Sequence, residues 1–173
     1  NAWFTQGTAT SYETTFPTVC KKLFHSTGID TTKKNKDLIQ RFLPYSSYLN
    51  LDEVEDINKT WQFVAKKEGV EPKELKQKVQ THAALFSIGE HSRSLLFALN
   101  DGAMPSNTAG GYNLRVILRR ALTFIDQYGW KLDLPTICEW HADYLKPLFP
   151  ELGEHLDEIR KILDVEKSRY ENT

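Results

Sequence analysis

Residues 90–122, EHSRSLLFALNDGAMPSNTAGGYNLRVILRRAL, contain the pattern that decides the fold. Apolar residues recur every three or four positions on both sides of a loop rich in Gly, Ser and Asn, which is the spacing of amphipathic helices. Projection of the part after Gly111 at roughly 100° per residue places its apolar side chains within an arc of roughly 140°. These apolar residues are Leu114, Ile117, Leu118, Ala121, Leu122 and Ile125. The segment predicts two helices joined by a loop over residues 101–111, with the second helix over 112–128.

The same helical spacing extends along the chain, and no stretch longer than about five residues alternates as a half-buried strand would. Proline and glycine divide the pattern into separate helices, because Pro suits a first helical turn and Gly ends a helix. The predicted helices cover residues 12–25, 32–42, 53–68, 72–100, 112–128, 135–145 and 151–170. Four aromatic residues are expected in the core: Trp61, Phe63, Phe86 and Phe97. The fold class predicted is all-α, an irregular helical bundle of about six or seven helices.

Length and charge limit the function classes. The chain has 173 residues, 22 Lys plus Arg against 23 Asp plus Glu, and a formal net charge of −1. This length fits one compact unit against a prior of roughly 150 residues per domain. A balanced charge removes the simplest electrostatic argument for a nucleic-acid binder, since such proteins usually carry excess Lys and Arg. Nucleic-acid binding would therefore require a local basic patch.

Cysteine and histidine usage points away from disulfides and metals. Cys20 and Cys138 are too few and too far apart for a disulfide framework, and we expect both to be buried as small apolar residues. The five histidines form no i, i+4 pair and no HExxH motif, so the metal prediction is none. No window reaches the roughly 18 continuous apolar residues of a membrane helix, and no signal-peptide pattern is present. We expect a cytoplasmic protein.

One local patch has the required charge. Arg115 and Arg119 lie four residues apart on one flank of the polar helix face, Arg120 lies across it, and no acid follows before Asp126. Arginine presents a planar fork of donors that suits phosphate oxygens, and the free N–H groups of a helix start add a weak positive end. Asn107, in the preceding loop, offers a donor and an acceptor to a base edge.

A structural interpretation of the same residues stays open at this point. The arginines would then pair with nearby acids and the glycines would only permit a tight turn. The acids considered are Asp101, Glu90 and Asp126. Tyr112 either caps the core or lies on a ribose, and His91 either packs against its neighbours or contacts a phosphate or backbone group.

The chain resembles the alanyl-tRNA synthetase family of class II aminoacyl-tRNA synthetases, the archaeal form in particular. The resemblance covers nearly the whole chain. It rests on residues 101–122 (DGAMPSNTAGGYNLRVILRRAL), 91–93 (HSR), 96–98 (LFA) and 3–10 (WFTQGTAT), with a looser fit around 52–56 and 69–70. One departure is visible, since the family's Ala-Asp-His-x-Arg reads GEHSR at residues 89–93 here.

The resemblance implies an alanine–tRNA ligase, which activates alanine with ATP and transfers it to tRNA. It implies that this helical region binds the acceptor stem of alanine tRNA and that Asn107 contacts its G·U wobble pair from the minor groove. Phosphate clamps are implied for Arg115, Arg119 and Arg120, and Tyr112 joins the tRNA-binding set. Four further residues are predicted to support the site: His91, Arg93, Asp101 and Ser106.

The resemblance also sets the expected organisation. Residues 1–11 are expected to be the tail of a catalytic core, with Asn1 and Ala2 as the scar of a cleaved tag, and 12–173 the recognition domain. No catalytic residue and no cofactor is assigned to the chain, which is expected to be a non-catalytic fragment. ATP with magnesium, and zinc, would serve the catalytic core and editing domain of the intact enzyme. A second wobble-pair residue is expected beyond Thr173, so the chain alone should discriminate G·U from G·C poorly.

The alternative from another class is a helical DNA-binding or protein-interaction module that uses residues 112–128 as a recognition helix. A helix-turn-helix joins its helices with three or four residues, whereas the predicted loop has about eleven. The length of the loop therefore disfavours the helix-turn-helix alternative, and the resemblance implies tRNA rather than DNA as the partner.

Overall fold

A computed structural model describes residues 15–29, 32–43 and 55–173. Within these ranges the chain is helical without strands, which confirms the all-α prediction. Predicted features in residues 1–14, including the whole 1–11 segment, lie outside the described residues. The seven helices are α1 Pro17–Thr27, α2 Lys33–Phe42, α3 Glu55–Glu68, α4 Pro72–Asn100, α5 Ala109–Gln127, α6 Leu134–Leu145 and α7 Leu156–Glu171, with a 3₁₀ turn at Pro150–Gly153.

Helix α4 is the central element of the bundle. It runs uninterrupted for 29 residues, about 43 Å at 1.5 Å per residue, and it contacts each of the other six helices. Its first half packs with α2 and α3 around a small core that includes Trp61, Leu75 and Val79. Its second half belongs to a larger core shared with α1, α5, α6 and α7. All described parts of the bundle therefore pack against one helix.

Gly89 lies inside α4, and the helix continues through it although glycine is a poor helix former. A Cβ at this position would lie 2.8 Å from Cε2 of Phe16, so the absence of a side chain lets α1 cross closely. The Gly89 carbonyl accepts from His141 Nε2 at 2.8 Å and from Ser92 Oγ at 2.9 Å. Gly89 is thus a packing point for α1, α4 and α6.

The predicted core is largely confirmed. Trp61 and Phe86 are buried and Phe97 is half-buried, and Cys20 and Cys138 are both buried as free cysteines. Phe63 is the exception, since 70% of it is exposed. It lies two residues from the buried Trp61, and positions two apart on a helix do not share a face.

The C-terminal segment differs from the single helix predicted over residues 151–170. A 3₁₀ turn ends at Gly153, and α7 begins at Leu156. Apolar spacing did not show the break, because Leu152 and Leu156 are four residues apart and keep the helical pattern across it. Gly153 was the only local signal.

Arg160 joins α7 to α6. It donates to Asp133 Oδ2 at 3.0 Å and to Glu139 Oε1 at 2.8 Å. Burial opposes ionisation of Asp133, but its bonds with Thr136 and Arg160 outweigh this and lower the pKa of the carboxyl group. These contacts add a polar link between α7 and α6 to the apolar packing of α7 on the core. No helix in the described ranges is both long enough and apolar enough to cross a membrane.

Candidate nucleic-acid interface

The loop between α4 and α5 is shorter than predicted. It covers residues 101–108, because α5 begins at Ala109 rather than at Tyr112. Gly110 and Gly111 therefore belong to the first helical turn, and Thr108 occupies the N-cap position without a capping side-chain bond. The signal that was available is Thr108 itself, since Thr is a preferred residue immediately before a helix.

The loop folds back over the start of α5. The Ser106 N–H donates to the Gly111 carbonyl at 3.0 Å, and the Ser106 hydroxyl donates to the Thr108 carbonyl at 2.9 Å. A Cβ on Gly111 would lie 2.2 Å from Ser106 Oγ and 2.5 Å from the Met104 carbonyl oxygen. This close approach places Asn107 at an exposed turn of the loop.

Arg115 connects that loop to α7. Its Nε donates to Glu166 Oε2 at 3.1 Å and its Nη2 to Glu166 Oε1 at 3.0 Å, a two-bond contact with one carboxylate. Its Nη1 donates to Asn107 Oδ1, and its Nη2 also approaches the Pro105 carbonyl at 3.4 Å. The side chains of Arg115 and Glu166 are only 15% and 5% exposed. Arg115 is therefore engaged inside the protein.

The structural interpretation predicted that the arginines pair with acids. Arg115 does pair with an acid, but that acid is not one of the three predicted partners. The acid is Glu166, 51 residues away, and none of the three acids proposed near the loop pairs with an arginine of α5 within the described ranges. Sequence spacing identifies neighbours along one helix, whereas this contact depends on how α7 lies beside α5. The helix containing Glu166 carries several other acids, so nothing local distinguished it.

Arg119 and Arg120 remain available at the surface. Arg119 lies one helical turn beyond Arg115 and one turn before Thr123. The Thr123 hydroxyl is hydrogen-bonded to the Tyr170 hydroxyl of α7 at 3.3 Å. Arg119 therefore lies on the α5 row that faces α7, and it is half-exposed. Arg120 is exposed on the other side, and neither arginine forms an ion pair within the part of the chain that the structure describes.

Tyr112 has 53% of its surface exposed, in the first turn of α5. The ring is therefore not enclosed by the core, and its exposed part is open to a ligand. Asn107, Tyr112 and Arg119 thus come from one stretch, residues 107–119, that covers the end of the loop and the first half of α5, and all three lie at or near the surface.

The four supporting residues occupy the end of α4 and the loop. Burial, helped by the nearby charge of Arg120, lowers the pKa of His91 and favours its neutral form. The Arg93 guanidinium lies 5.8 Å from the centroid of the Phe97 ring, as in a cation–π contact. Asp101 is the exposed C-cap residue of α4, and Ser106 shapes the loop as described above. No cluster of three His, Cys, Asp or Glu residues suited to a metal occurs within the described ranges.

Sequence reasoning missed two residues of this surface, both on α7. Glu166 is one, and Arg169 is the other, since its Nη1 donates to Glu166 Oε1 at 2.9 Å while its side chain stays 59% exposed. One carboxylate oxygen thus accepts from two arginines.

Comparison with known proteins adds independent observations. A family model described as tRNA synthetases class II (A) matches residues 5–173. The chain is similar to the alanine–tRNA ligase of Methanocella arvoryzae, at 40% identity over 172 residues, and to that of Nitrosopumilus maritimus, at 34%. Identity with the alanine–tRNA ligase of Methanosphaera stadtmanae is 31%. Each match covers 99% of this chain but 19% of the relative, so the chain spans about a fifth of the length of these curated relatives.

Proposed function

The chain belongs to the class II (A) tRNA synthetases, and from this premise we propose that it is part of an alanine–tRNA ligase and binds the acceptor stem of alanine tRNA. The observation that carries the proposal is the exposed carboxamide of Asn107, held in the α4–α5 loop by Arg115. A held amide at the surface suits recognition of a base edge, because its donor and acceptor then have fixed positions.

The proposed ligand is an A-form RNA helix read from its minor groove. That groove is wide and shallow, whereas the major groove is too deep and narrow for side chains to read. A G·U pair leaves the guanine amino group in the minor groove without its usual partner. The carbonyl oxygen of a carboxamide can accept a hydrogen bond from that amino group. Asn107 would specify the pair, and the arginines would set the position of the stem along the site.

Arg119 and Arg120 are the proposed phosphate contacts, since Arg119 is half-exposed, Arg120 is exposed and neither forms an ion pair in the described ranges. Tyr112 would lie against a ribose with its exposed ring. His91 and Arg93 would support the stem from the end of α4, while Asp101 and Ser106 would maintain the loop. The local excess of Arg compensates for the balanced charge of the whole chain.

The remaining parts of such a ligase enter the proposal through the resemblance alone. ATP with magnesium would bind a catalytic core, zinc would bind an editing region, and neither is assigned to a residue of this chain. Alanine activation is likewise assigned to the core, and the cytoplasm is the proposed location. The partners of this chain would be alanine tRNA and those other domains.

The DNA-binding alternative is disfavoured by family membership and by the loop. Eight residues, 101–108, separate α4 from α5, twice the length typical of a helix-turn-helix. Asn107 also lies in the loop rather than on the face of a recognition helix.

A binding titration tests the proposed function. The chain is titrated with an RNA minihelix that carries the alanine acceptor stem, and with a DNA duplex of equal length at the same salt concentration. Matched salt is required because phosphate contacts make both affinities salt-dependent. Preference for the minihelix is expected, and it should weaken in Asn107→Ala. Equal affinity for the two duplexes would contradict the proposal.

A further inference from the structure

Three side chains form a continuous relay from α7 to the tip of the α4–α5 loop. The buried carboxylate of Glu166 accepts two hydrogen bonds from Arg115, and the remaining terminal nitrogen of Arg115, Nη1, donates a hydrogen bond to Asn107 Oδ1. The side chains of Arg115 and Glu166 are 15% and 5% exposed, whereas Asn107 is exposed. The relay therefore links a shielded pair to a surface amide.

The relay determines which way the Asn107 amide faces. A guanidinium has donors only, so only the carbonyl end of a carboxamide can face it. The Asn107 NH₂ group must then point away from Arg115, and the second lone pair of Oδ1 stays available. A free asparagine on a loop would rotate between both orientations and lose side-chain entropy on binding, whereas a held one has already lost it.

Glu166 determines the orientation of Arg115 in turn. Its two oxygens engage Nε and Nη2, the paired donors on one edge of the planar group, which leaves Nη1 directed at the loop. Burial makes this orientation of Arg115 more strongly favoured. Separation of the pair would leave an unpaired charge in a shielded site, which is costly.

We propose that Glu166 and Arg115 are positioning residues for base-edge recognition. They hold the Asn107 carboxamide so that the second lone pair of Oδ1 can accept from the guanine amino group, while the NH₂ group is directed to donate to an acceptor in the RNA minor groove. The inference rests on the proposed function, because it assigns Arg115 a role through Asn107 rather than on a phosphate. It also brings Glu166 on α7 into the recognition site without contact to RNA.

The chain offers an internal control on the same carboxylate. Arg169 bonds Glu166 Oε1 at 2.9 Å from the exposed side, and it is not one of the three side chains of the relay. Arg169→Ala removes a positive charge near the site and a bond to Glu166 but leaves the relay intact. Glu166→Gln keeps the shape of the side chain but places an NH₂ group where one carboxylate oxygen accepted, so the two-bond contact is lost.

The first measurement uses the free chain in solution. In ¹⁵N-labelled protein the side-chain resonances of Asn107 Nδ2 and Arg115 Nε report the relay directly. Glu166→Gln should move the Asn107 signals toward those of a free asparagine and speed exchange of the Arg115 Nε proton, whereas Arg169→Ala should leave both near their wild-type values. Thermal unfolding of each variant checks that it folds, and Arg115→Lys, which lacks the planar fork, provides a second variant that breaks the relay.

The second measurement is a double-mutant cycle on minihelix affinity. Glu166→Gln and Asn107→Ala are combined, and the dissociation constant for the G·U minihelix is determined for all four proteins. We expect Glu166→Gln to weaken binding by about three- to tenfold with Asn107 present and by less than about twofold in Asn107→Ala, because coupled residues are not additive. Arg169→Ala should weaken binding to the same extent in both backgrounds.

The outcomes separate the inference from the proposed function. If the wild-type chain binds the minihelix and Glu166→Gln weakens this affinity equally with and without Asn107, the positioning role is overturned. The proposed binding of the acceptor stem is then unaffected. Unchanged Asn107 resonances in a folded Glu166→Gln protein overturn the positioning role as well. If the wild-type chain shows no preference for the minihelix, the proposed function fails and this inference fails with it.

Discussion

The backbone N–H of Ser106 donates to the carbonyl oxygen of Gly111 at 3.0 Å, and this bond closes the α4–α5 loop over the first turn of α5. The contact requires Gly111, because a Cβ there would overlap Ser106 Oγ and the Met104 carbonyl. Asn107 lies between the two bonded residues, so its position depends on the same contact. The loop geometry and the candidate recognition residue are therefore set together.

Gly111→Ala is expected to lower stability and to displace Asn107. The new methyl group would lie 2.2 Å from Ser106 Oγ and 2.5 Å from a backbone oxygen, so the loop must move away. Forced repacking of this kind costs about 1–3 kcal/mol. Urea unfolding measures the free energy, and the minihelix titration measures the loss of binding.

Gly110→Ala is the matched control for that change. Nothing lies within 4 Å of a Cβ at Gly110, although it occupies the same helical turn. The free energy of unfolding should stay constant or rise by up to about 1 kcal/mol, as Ala is the better helix former. Equal decreases in the free energy of unfolding of the two variants would show that the close approach at Gly111 does not affect stability.

Ala109→Gly is expected to stabilise the chain. Ala109 has φ of +51°, in the left-handed region, where a Cβ is unfavourable by roughly 1–2 kcal/mol. Glycine removes that cost but loses about 0.5–1 kcal/mol through its greater freedom when unfolded. The net gain is about 0.5 kcal/mol, seen as a higher midpoint of thermal unfolding. Ala103→Gly, in the adjacent loop and without a positive φ, should lower the midpoint, and a lower midpoint for both would contradict the prediction.

Arg119→Ala and Arg120→Ala should weaken minihelix binding equally for G·U and G·C stems. Phosphate contacts carry no sequence information, and each lost contact should reduce the slope of log K against log salt by about 0.7–0.9. Titrations at four salt concentrations measure the slope. Asn107→Ala should leave it unchanged.

Arg41→Ala is the control for the loss of one positive charge. Arg41 lies on α2 and pairs with Glu68 at 2.6 Å, beside the smaller core. Its substitution should change neither affinity nor slope. A slope that falls as much in Arg41→Ala as in Arg119→Ala would show that general charge, not the α5 face, controls binding.

The sequence predicted what depends on local periodicity. Pro72 and the apolar spacing after it placed α4 at its observed bounds, and the apolar arc of α5 is the face that packs on the core. These predictions hold because burial of one helix face follows from neighbours three and four residues apart. The same reasoning could not find the start of α5, since glycines usually indicate a loop and here occupy the first turn.

The sequence proposed residues for the candidate site but not their geometry. Asn107 and the arginines were singled out by residue type and position, yet Arg115 looked equivalent to Arg119. What distinguishes them is Glu166, which reaches Arg115 because α7 packs beside α5 and α6. Tertiary contacts between distant helices leave no trace in the spacing of either one.

His141 is a buried neutral residue at the junction of α1, α4 and α6. Its Nε2 lies 2.8 Å from the Gly89 carbonyl, which assigns the proton to that nitrogen. Its Nδ1 is buried without a hydrogen-bond partner in the described ranges, and the Phe16 ring packs edge-on at 5.2 Å. Protonation would therefore place a charge and an unpaired N–H in the core.

The stability of the chain is expected to fall as pH decreases from about 6.5 to 4, and His141→Gln should reduce this fall. Burial is the main cause that lowers the pKa of His141 from 6.5 to about 4. Between these values the unfolded chain binds a proton that the native chain excludes, which amounts to about 3 kcal/mol in favour of unfolding at the acid end. Glutamine keeps an N–H donor for Gly89 but does not titrate, so urea unfolding at several pH values should give a shallower slope. His155→Gln, at the exposed start of α7, should keep the wild-type slope, and a His141→Gln slope equal to wild type would refute the assignment.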